Sequence, residues 1–246
     1  MELVLIYLAI KYLGDFHQIY QALKDKEFVD IADLEKIKQQ ILNKEIQAIT
    51  IIDDNYPESL KMINNPPFVI FYKGNIELLN QAALMITGEF TNDLIDNYLN
   101  EAIQETSKKY VLINSDFKPL DDLIIKSFLE LKKNVIIVLA SSIDHHEFKF
   151  NYSNYFNNLL ILSEFPFDAK INRKRILQRN RLAIGLSEAL IIISSYRKSG
   201  IMNLVTHALD QGKEVYCYPG LQTENDGNNL LIQDGAHLIT SIKFIK

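Results

Sequence analysis

Between residues 83 and 218 the chain alternates short, almost unbroken apolar runs with longer amphipathic stretches. The apolar runs fall at 83–88, 110–113, 134–139, 159–162, 189–193 and 215–218. A run of this length without polar alternation is the mark of a strand buried on both faces. The stretches 93–108, 123–131 and 201–209 carry apolar positions at helical spacing. A further helical run is expected to open at Arg179-Asn180-Arg181 and to continue through Ile184 and Leu186. Strand, loop and helix alternating in this way predict βαβ units on a mostly parallel, doubly wound α/β sheet. On such a sheet ligands sit outside the carboxyl ends of the strands. Ser199-Gly200 and Pro219-Gly220 are placed there by this reading, and Gly227 to Gly235 are expected as loop on the same rim.

Ahead of the sheet, residues 1–46 read as a short helical segment, with Leu3, Leu5, Ile6, Ala9 and Ile10 on one face and Ile19, Leu23, Leu34, Ile37 and Ile41 continuing at helical spacing. Residues 48–52 form a strand candidate, followed by turn chemistry at Asp53 to Pro57. The chain therefore divides into a helical segment, 1–46, and an α/β domain, 47–246.

Composition changes this picture in one respect. A hydrophobic content of 48% with 23% charged residues suits a globular core. The net charge of −5 and pI of about 5.6 give no global attraction for a polyanion. Any such contact has to be local. The one dense basic segment contains Lys170, Arg173, Lys174, Arg175, Arg179 and Arg181. It is expected to precede a helix whose free N–H groups favour an anion. Its other reading is a solvated or salt-bridged face, with Glu164 an available partner.

The remaining candidates have two readings each. Ser199 can be the N-cap of the helix that follows, or Ser199-Gly200 can admit a phosphate oxygen to backbone amides. The aromatics Phe148, Phe150, Tyr152, Tyr155 and Phe156 can stack bases or pack the core. Adjacent His145 and His146 lack further ligands at metal spacing. The single cysteine, Cys217, lies in a predicted strand and reads as a buried, inert thiol. No nucleophile–base pair, P-loop or dinucleotide fingerprint occurs, so neither catalysis nor a cofactor is expected. The apolar start of the chain is interrupted by Glu2 and Lys11, and no run reaches the ~18 apolar residues of a membrane span. A cytoplasmic protein is expected.

Several short elements occur in a fixed order: Ser163-Glu164 with Pro166, Arg179-Asn180-Arg181, Gly185-Leu186-Ser187, Ser199-Gly200, Pro219-Gly220, and Gly227 with Asn229, Leu231-Ile232 and Gly235-Ala236. Together with Tyr56-Pro57 and Pro66 to Gly74, they resemble the DNA-processing protein A (DprA/Smf) family. That resemblance implies a Rossmann-like domain that binds single-stranded DNA, forms a homodimer and hands the strand to a RecA-type recombinase. It implies a nucleic-acid site at Gly88, Lys174, Arg175, Arg179, Asn180, Arg181, Ser199, Gly200 and Asn229, with Arg179 and Arg181 as the main phosphate contacts on the pocket rim. Lys73 is a further, lesser candidate.

The chain departs from the family pattern at two places. The family's Gly-Ser-Arg turn is here Gly88-Glu89-Phe90, which replaces the arginine and adds a negative charge. Its glycine-rich loop after the next strand is replaced by residues 115–122, where only Ser115 and Asp122 match. Two alternatives to the DNA-binding reading follow: a nucleotide-processing enzyme of the lysine-decarboxylase-like phosphoribohydrolase group, or a diverged scaffold with weak DNA affinity.

Overall fold

The computed structural model describes residues 1–116, 119–148, 151–221 and 225–245. Three helices open the chain: α1 (Glu2–Lys11), α2 (Phe16–Lys24) and α3 (Ile31–Lys44). Asp15 and Asp30 start the second and third by accepting backbone N–H bonds into their side chains. Then follow β1 (Gln47–Thr50), α4 (Glu58–Lys61) and β2 (Val69–Gly74). The parallel units are β3 (Ala83–Thr87), α5 (Asp93–Thr106), β4 (Val111–Asn114), α6 (Pro119–Glu130), β5 (Val135–Val138) and β6 (Leu159–Ser163). The second winding is α7 (Arg173–Leu186), β7 (Ala189–Ile192), α8 (Ile201–Asp210), β8 (Glu214–Cys217), α9 (Asn228–Gln233) and β9 (His237–Leu238).

Among the described residues these strands form one sheet in the order β1-β2-β6-β5-β4-β3-β7-β8-β9. From β6 to β9 every pairing is parallel, while β2 returns antiparallel to β6 and β1 antiparallel to β2. Every residue of β3 through β7 is buried, which is why their sequences read as unbroken apolar runs. Leu84, Ile86, Leu112 and Ile137 face a core shared with α1, α2, α5 and α6. Ala83, Met85, Ile113 and Val138 face the opposite core, made with α4, α7, α8 and α9. Helices thus cover both faces, as the doubly wound reading expects.

Two expectations need correction. The helix expected to open at Arg179 begins at Arg173, where Asn172 Oδ1 accepts the Arg175 N–H at 2.9 Å. Arg179 to Arg181 therefore lie in its interior. Residues 227–235, expected as loop, contain α9, whose first turn is held by Asp226 Oδ1 accepting the Asn229 N–H at 3.1 Å.

Candidate nucleic-acid interface

Connections from β3 run successively to β4, β5 and β6 on one side, and β7 returns to pair with β3 on the other. The chain therefore reverses its winding between β3 and β7, and the carboxyl ends of these strands flank the crevice where such sheets take ligands. Gly88, Glu89 and Phe90 leave β3 there, opposite Ser194, Ser195 and Tyr196 leaving β7. Ser194 Oγ accepts the Glu89 and Phe90 N–H groups, each at 3.2 Å, and donates to the Phe90 carbonyl at 2.6 Å. The Tyr196 N–H donates to Glu89 Oε2 at 2.9 Å. Gly88 is closely approached: a Cβ on it would stand 2.4 Å from Leu120 Cδ2 and 3.0 Å from Ser194 Oγ, so a side chain there would have to displace them.

Under the neighbouring strand ends lies a buried polar network. Asp121, fully buried, accepts from Thr87 Oγ1 at 3.0 Å and from Ser115 Oγ at 2.8 Å. Asn114 holds the turn after β4 by donating to the Ile86 carbonyl and accepting the Ser115 and Asp116 N–H groups. Asp116, left-handed at φ 46°, is also fixed by His146 Nε2 at 2.8 Å. Burial pushes the Asp116 carboxyl up, and His146 opposes that shift. Ser141 Oγ lies 3.4 Å from His146 Nδ1, giving a Ser–His–Asp row. Ser141 is only 3% exposed, so the row is part of the buried network. Among the described residues no three His, Cys, Asp or Glu side chains converge as metal ligands.

Arg179, Asn180 and Arg181, expected on the rim, belong to this substructure and are buried. Arg179 is 2% exposed and donates to the Ser115 carbonyl at 2.9 Å, the Val138 carbonyl at 3.3 Å and Asn180 Oδ1 at 2.9 Å. Burial pushes its guanidinium down to about 10, while Asp121 and Asp116 oppose the shift. Asn180 continues the chain of bonds to Asn203 Oδ1 at 2.8 Å. Arg181 Nη2 meets Glu164 Oε2 at 2.6 Å, both side chains buried. The physical reason is the earlier helix start. Six residues of helix move Arg179 roughly 9 Å from the N-terminus of α7, against the ends of β4 and β5.

The other expected residues occupy the rim or support it. Lys174 is exposed and pairs with Asp15 at 3.0 Å. Arg175 is half-buried, lies over the Phe165 ring with 5.2 Å to its centroid, and donates to the Lys170 carbonyl. Ser199 Oγ accepts the Ile201 N–H at 2.9 Å, the geometry of the capping reading, and Gly200 beside it is exposed. Asn229 Oδ1 accepts the Gly220 N–H at 3.0 Å and so shapes the turn after β8. Lys73 is engaged elsewhere, 3.3 Å from Glu45 and above the Phe156 ring. Phe148, Tyr152 and Phe156 pack against the core. Phe117, Lys118 and Phe150 lie outside the described residues.

Sequence reasoning missed four residues of this edge. Tyr196, Arg197 and Lys198 form an exposed aromatic and cationic stretch between β7 and α8, directly at the crevice. The signal was two cations between a strand and Ser199-Gly200. Asn228, 1% exposed, donates to the carbonyls of Ile192, Ile193 and Tyr218 and accepts from Ser195 Oγ at 2.7 Å. It ties the ends of β7 and β8 together. The backbone adds a bridge between Tyr196 and Asp226 and a bond from Arg197 N–H to the Asn225 carbonyl.

Fold and site together define a Rossmann-like, doubly wound α/β protein with a braced strand-end floor and an exposed aromatic-cationic loop at its winding reversal. Residues 47–246 match the family described as DNA recombination-mediator protein A, and the chain belongs to that family. It is 30% identical over 210 residues to the DNA processing protein DprA of Bacillus subtilis, covering 81% of this chain and 70% of that one. The X-ray structure of DprA from Streptococcus pneumoniae superposes with a TM-score of 0.80 at 24% identity, covering 98% of this chain and 95% of the other. A Helicobacter pylori DprA structure, described for its single-stranded DNA binding mode, gives a TM-score of 0.70 at 26% identity over 80% of this chain and 93% of its own. No helix among the described residues is long and apolar enough to cross a membrane.

Proposed function

We propose that this protein binds single-stranded DNA along the carboxyl-end rim of its sheet and presents the strand to a RecA-type recombinase. The observation that carries this reading is the exposed Tyr196-Arg197-Lys198-Ser199-Gly200 loop at the winding reversal, in a chain of the recombination-mediator family. The single-stranded DNA binding of the Helicobacter pylori relative supports it. With a net charge of −5, attraction must be local, and Arg197 and Lys198 place cations at the crevice while Lys174 and Arg175 place them at the start of α7.

In this reading Arg197, Lys198, Lys174 and Arg175 contact phosphates. Gly88, Ser199, Gly200 and Asn229 shape the backbone that meets the strand, and Arg179, Asn180 and Arg181 hold the floor beneath it. Phosphate contacts carry no sequence information, so binding is sequence-tolerant. The protein acts by holding the strand rather than by cleaving or forming bonds. It works in the cytoplasm as a homodimer, for which the edge strand β9 with its exposed Leu238 offers a pairing surface.

The test measures fluorescence anisotropy of a labelled single-stranded oligonucleotide, with a duplex and AMP as competitors. Recombinase-driven strand exchange on protein-coated single strands is then followed with and without this chain. Binding to the single strand in preference to duplex and AMP, and faster exchange, are the expected results. A folded protein that ignores the oligonucleotide at low salt sinks the proposal.

A further inference from the structure

Two aromatic rings stand together at the mouth of the crevice. The centroids of Phe90 and Tyr196 are 4.8 Å apart with their planes at 34°. Phe90 rests its inner side on the core, and Tyr196 is 42% exposed. Both backbones are fixed on the protein side. Ser194 Oγ holds the N–H and carbonyl of Phe90, while Glu89 Oε2 and the bridge to Asp226 hold Tyr196. The backbones that carry the two rings are therefore held in place in the free protein.

The same geometry speaks against a phosphate at this spot. The Tyr196 N–H, a donor that an anion would use, is already bonded to the Glu89 carboxylate, and that carboxylate adds negative charge. What the crevice presents instead is the exposed Tyr196 ring beside Phe90, with the exposed cations Arg197 and Lys198 one and two residues further along. An aromatic face flanked by cations is the arrangement that takes a base on the ring and its phosphates on the side chains.

We infer that the Phe90–Tyr196 pair is a stacking platform for one nucleobase of a bound single strand. The strand is thus held at the winding reversal through a base, with its phosphates turned toward Arg197 and Lys198. This inference rests on the DNA-binding reading above. Stacking accepts any base, because each has a π-face, so the platform adds affinity without adding sequence preference.

The experiment compares the affinity of the full chain for oligothymidylate with that for the same sugar-phosphate chain made wholly of abasic residues. The wild type is expected to bind the abasic strand about 10-fold more weakly, within the range of loss for a stacked base. Tyr196→Leu is expected to lose about as much on oligothymidylate and little on the abasic strand, and Tyr196→Phe to keep wild-type affinity for both. Equal binding of the two strands by the wild type overturns the platform and leaves DNA binding standing. So does a Tyr196→Leu loss of the same size on both strands. Failure of the wild type to bind either strand removes the DNA-binding reading and the platform with it. The comparison on wild-type protein needs no variant to fold.

Discussion

Arg181 and Glu164 form a buried ion pair that joins the middle of α7 to the end of β6, Nη2 to Oε2 at 2.6 Å. Burial pushes the Glu164 carboxyl up, and Arg181 works against that shift. Removing one partner strands the other charge in the core, which typically costs 3–5 kcal/mol. Arg181→Ala is therefore expected to lower the melting temperature sharply. Replacing both partners with apolar residues, Arg181→Met with Glu164→Leu, is expected to recover much of the loss. A thermal melt of the three variants checks this. At temperatures where each variant is fully folded, affinity for a single-stranded oligonucleotide should stay near wild type.

The exposed cations behave differently. Arg197→Gln and Lys198→Gln are expected to leave the unfolding free energy within about 0.5 kcal/mol of wild type, as surface changes do. Each should reduce the slope of log affinity against log salt by about 0.7, the value per phosphate contact on a single strand. An unchanged slope in both variants would place the strand elsewhere on the protein.

Glu89 adds negative charge where a polyanion is expected to arrive. Glu89→Gln keeps an acceptor for the Tyr196 N–H and removes the charge. Binding to single-stranded DNA is expected to tighten several-fold at low salt, and the gain should fade as the Debye length shrinks to about 3 Å near 1 M salt. Titrations at two salt concentrations show whether the effect is electrostatic.

The parallel sheet was legible because strands buried on both faces leave unbroken apolar runs, and β3 to β8 were all expected from them. The start of α7 was not legible. Its first turn, Arg173-Lys174-Arg175, has no apolar position to set a period, and the Asn172 cap is one polar residue among many. That error moved Arg179 and Arg181 from helix interior to rim. The α9 helix is six residues long, too short for periodicity to show. The crevice was hidden for a different reason. Glu89 meets Tyr196 across 107 residues of sequence, a contact created by β3 pairing with β7 rather than by any local motif. Asp121, the residue that binds Thr87 and Ser115, adjoins Asp122, the one that matches the family pattern.

Cys217 is fully buried, and burial pushes its thiol up to about 12. Its folded-state value lies above the unfolded one near ~8.5, so its contribution to stability is complete below pH ~8.5 and falls as pH rises toward about 12. Native protein is expected to resist alkylation by iodoacetamide at pH 8 and to react fully once unfolded in guanidinium. Rapid modification of the native protein would mean that β8 opens.

Gly185 lies where α7 packs against the segment around α4. A Cβ there would lie 2.9 Å from Ile63 Cγ2 and 3.0 Å from Leu60 Cδ2. Gly185→Ala is expected to cost about 1–3 kcal/mol by overpacking, despite alanine's better helix propensity. Denaturant unfolding measures it, and a stabilised variant would contradict the packing.

Arg179 binds the carbonyl after β4 and the carbonyl ending β5 with one guanidinium, from a helix anchored to neither strand by sequence. Mechanically, this ties those two strand ends and α7 together from beneath, while Asn228, Ser194 and Glu89 tie the loop after β7 to the strand ends beside it. A strand lying across the crevice would touch both at once. It would meet a floor already braced from beneath, and little of that floor would be left to order on its arrival.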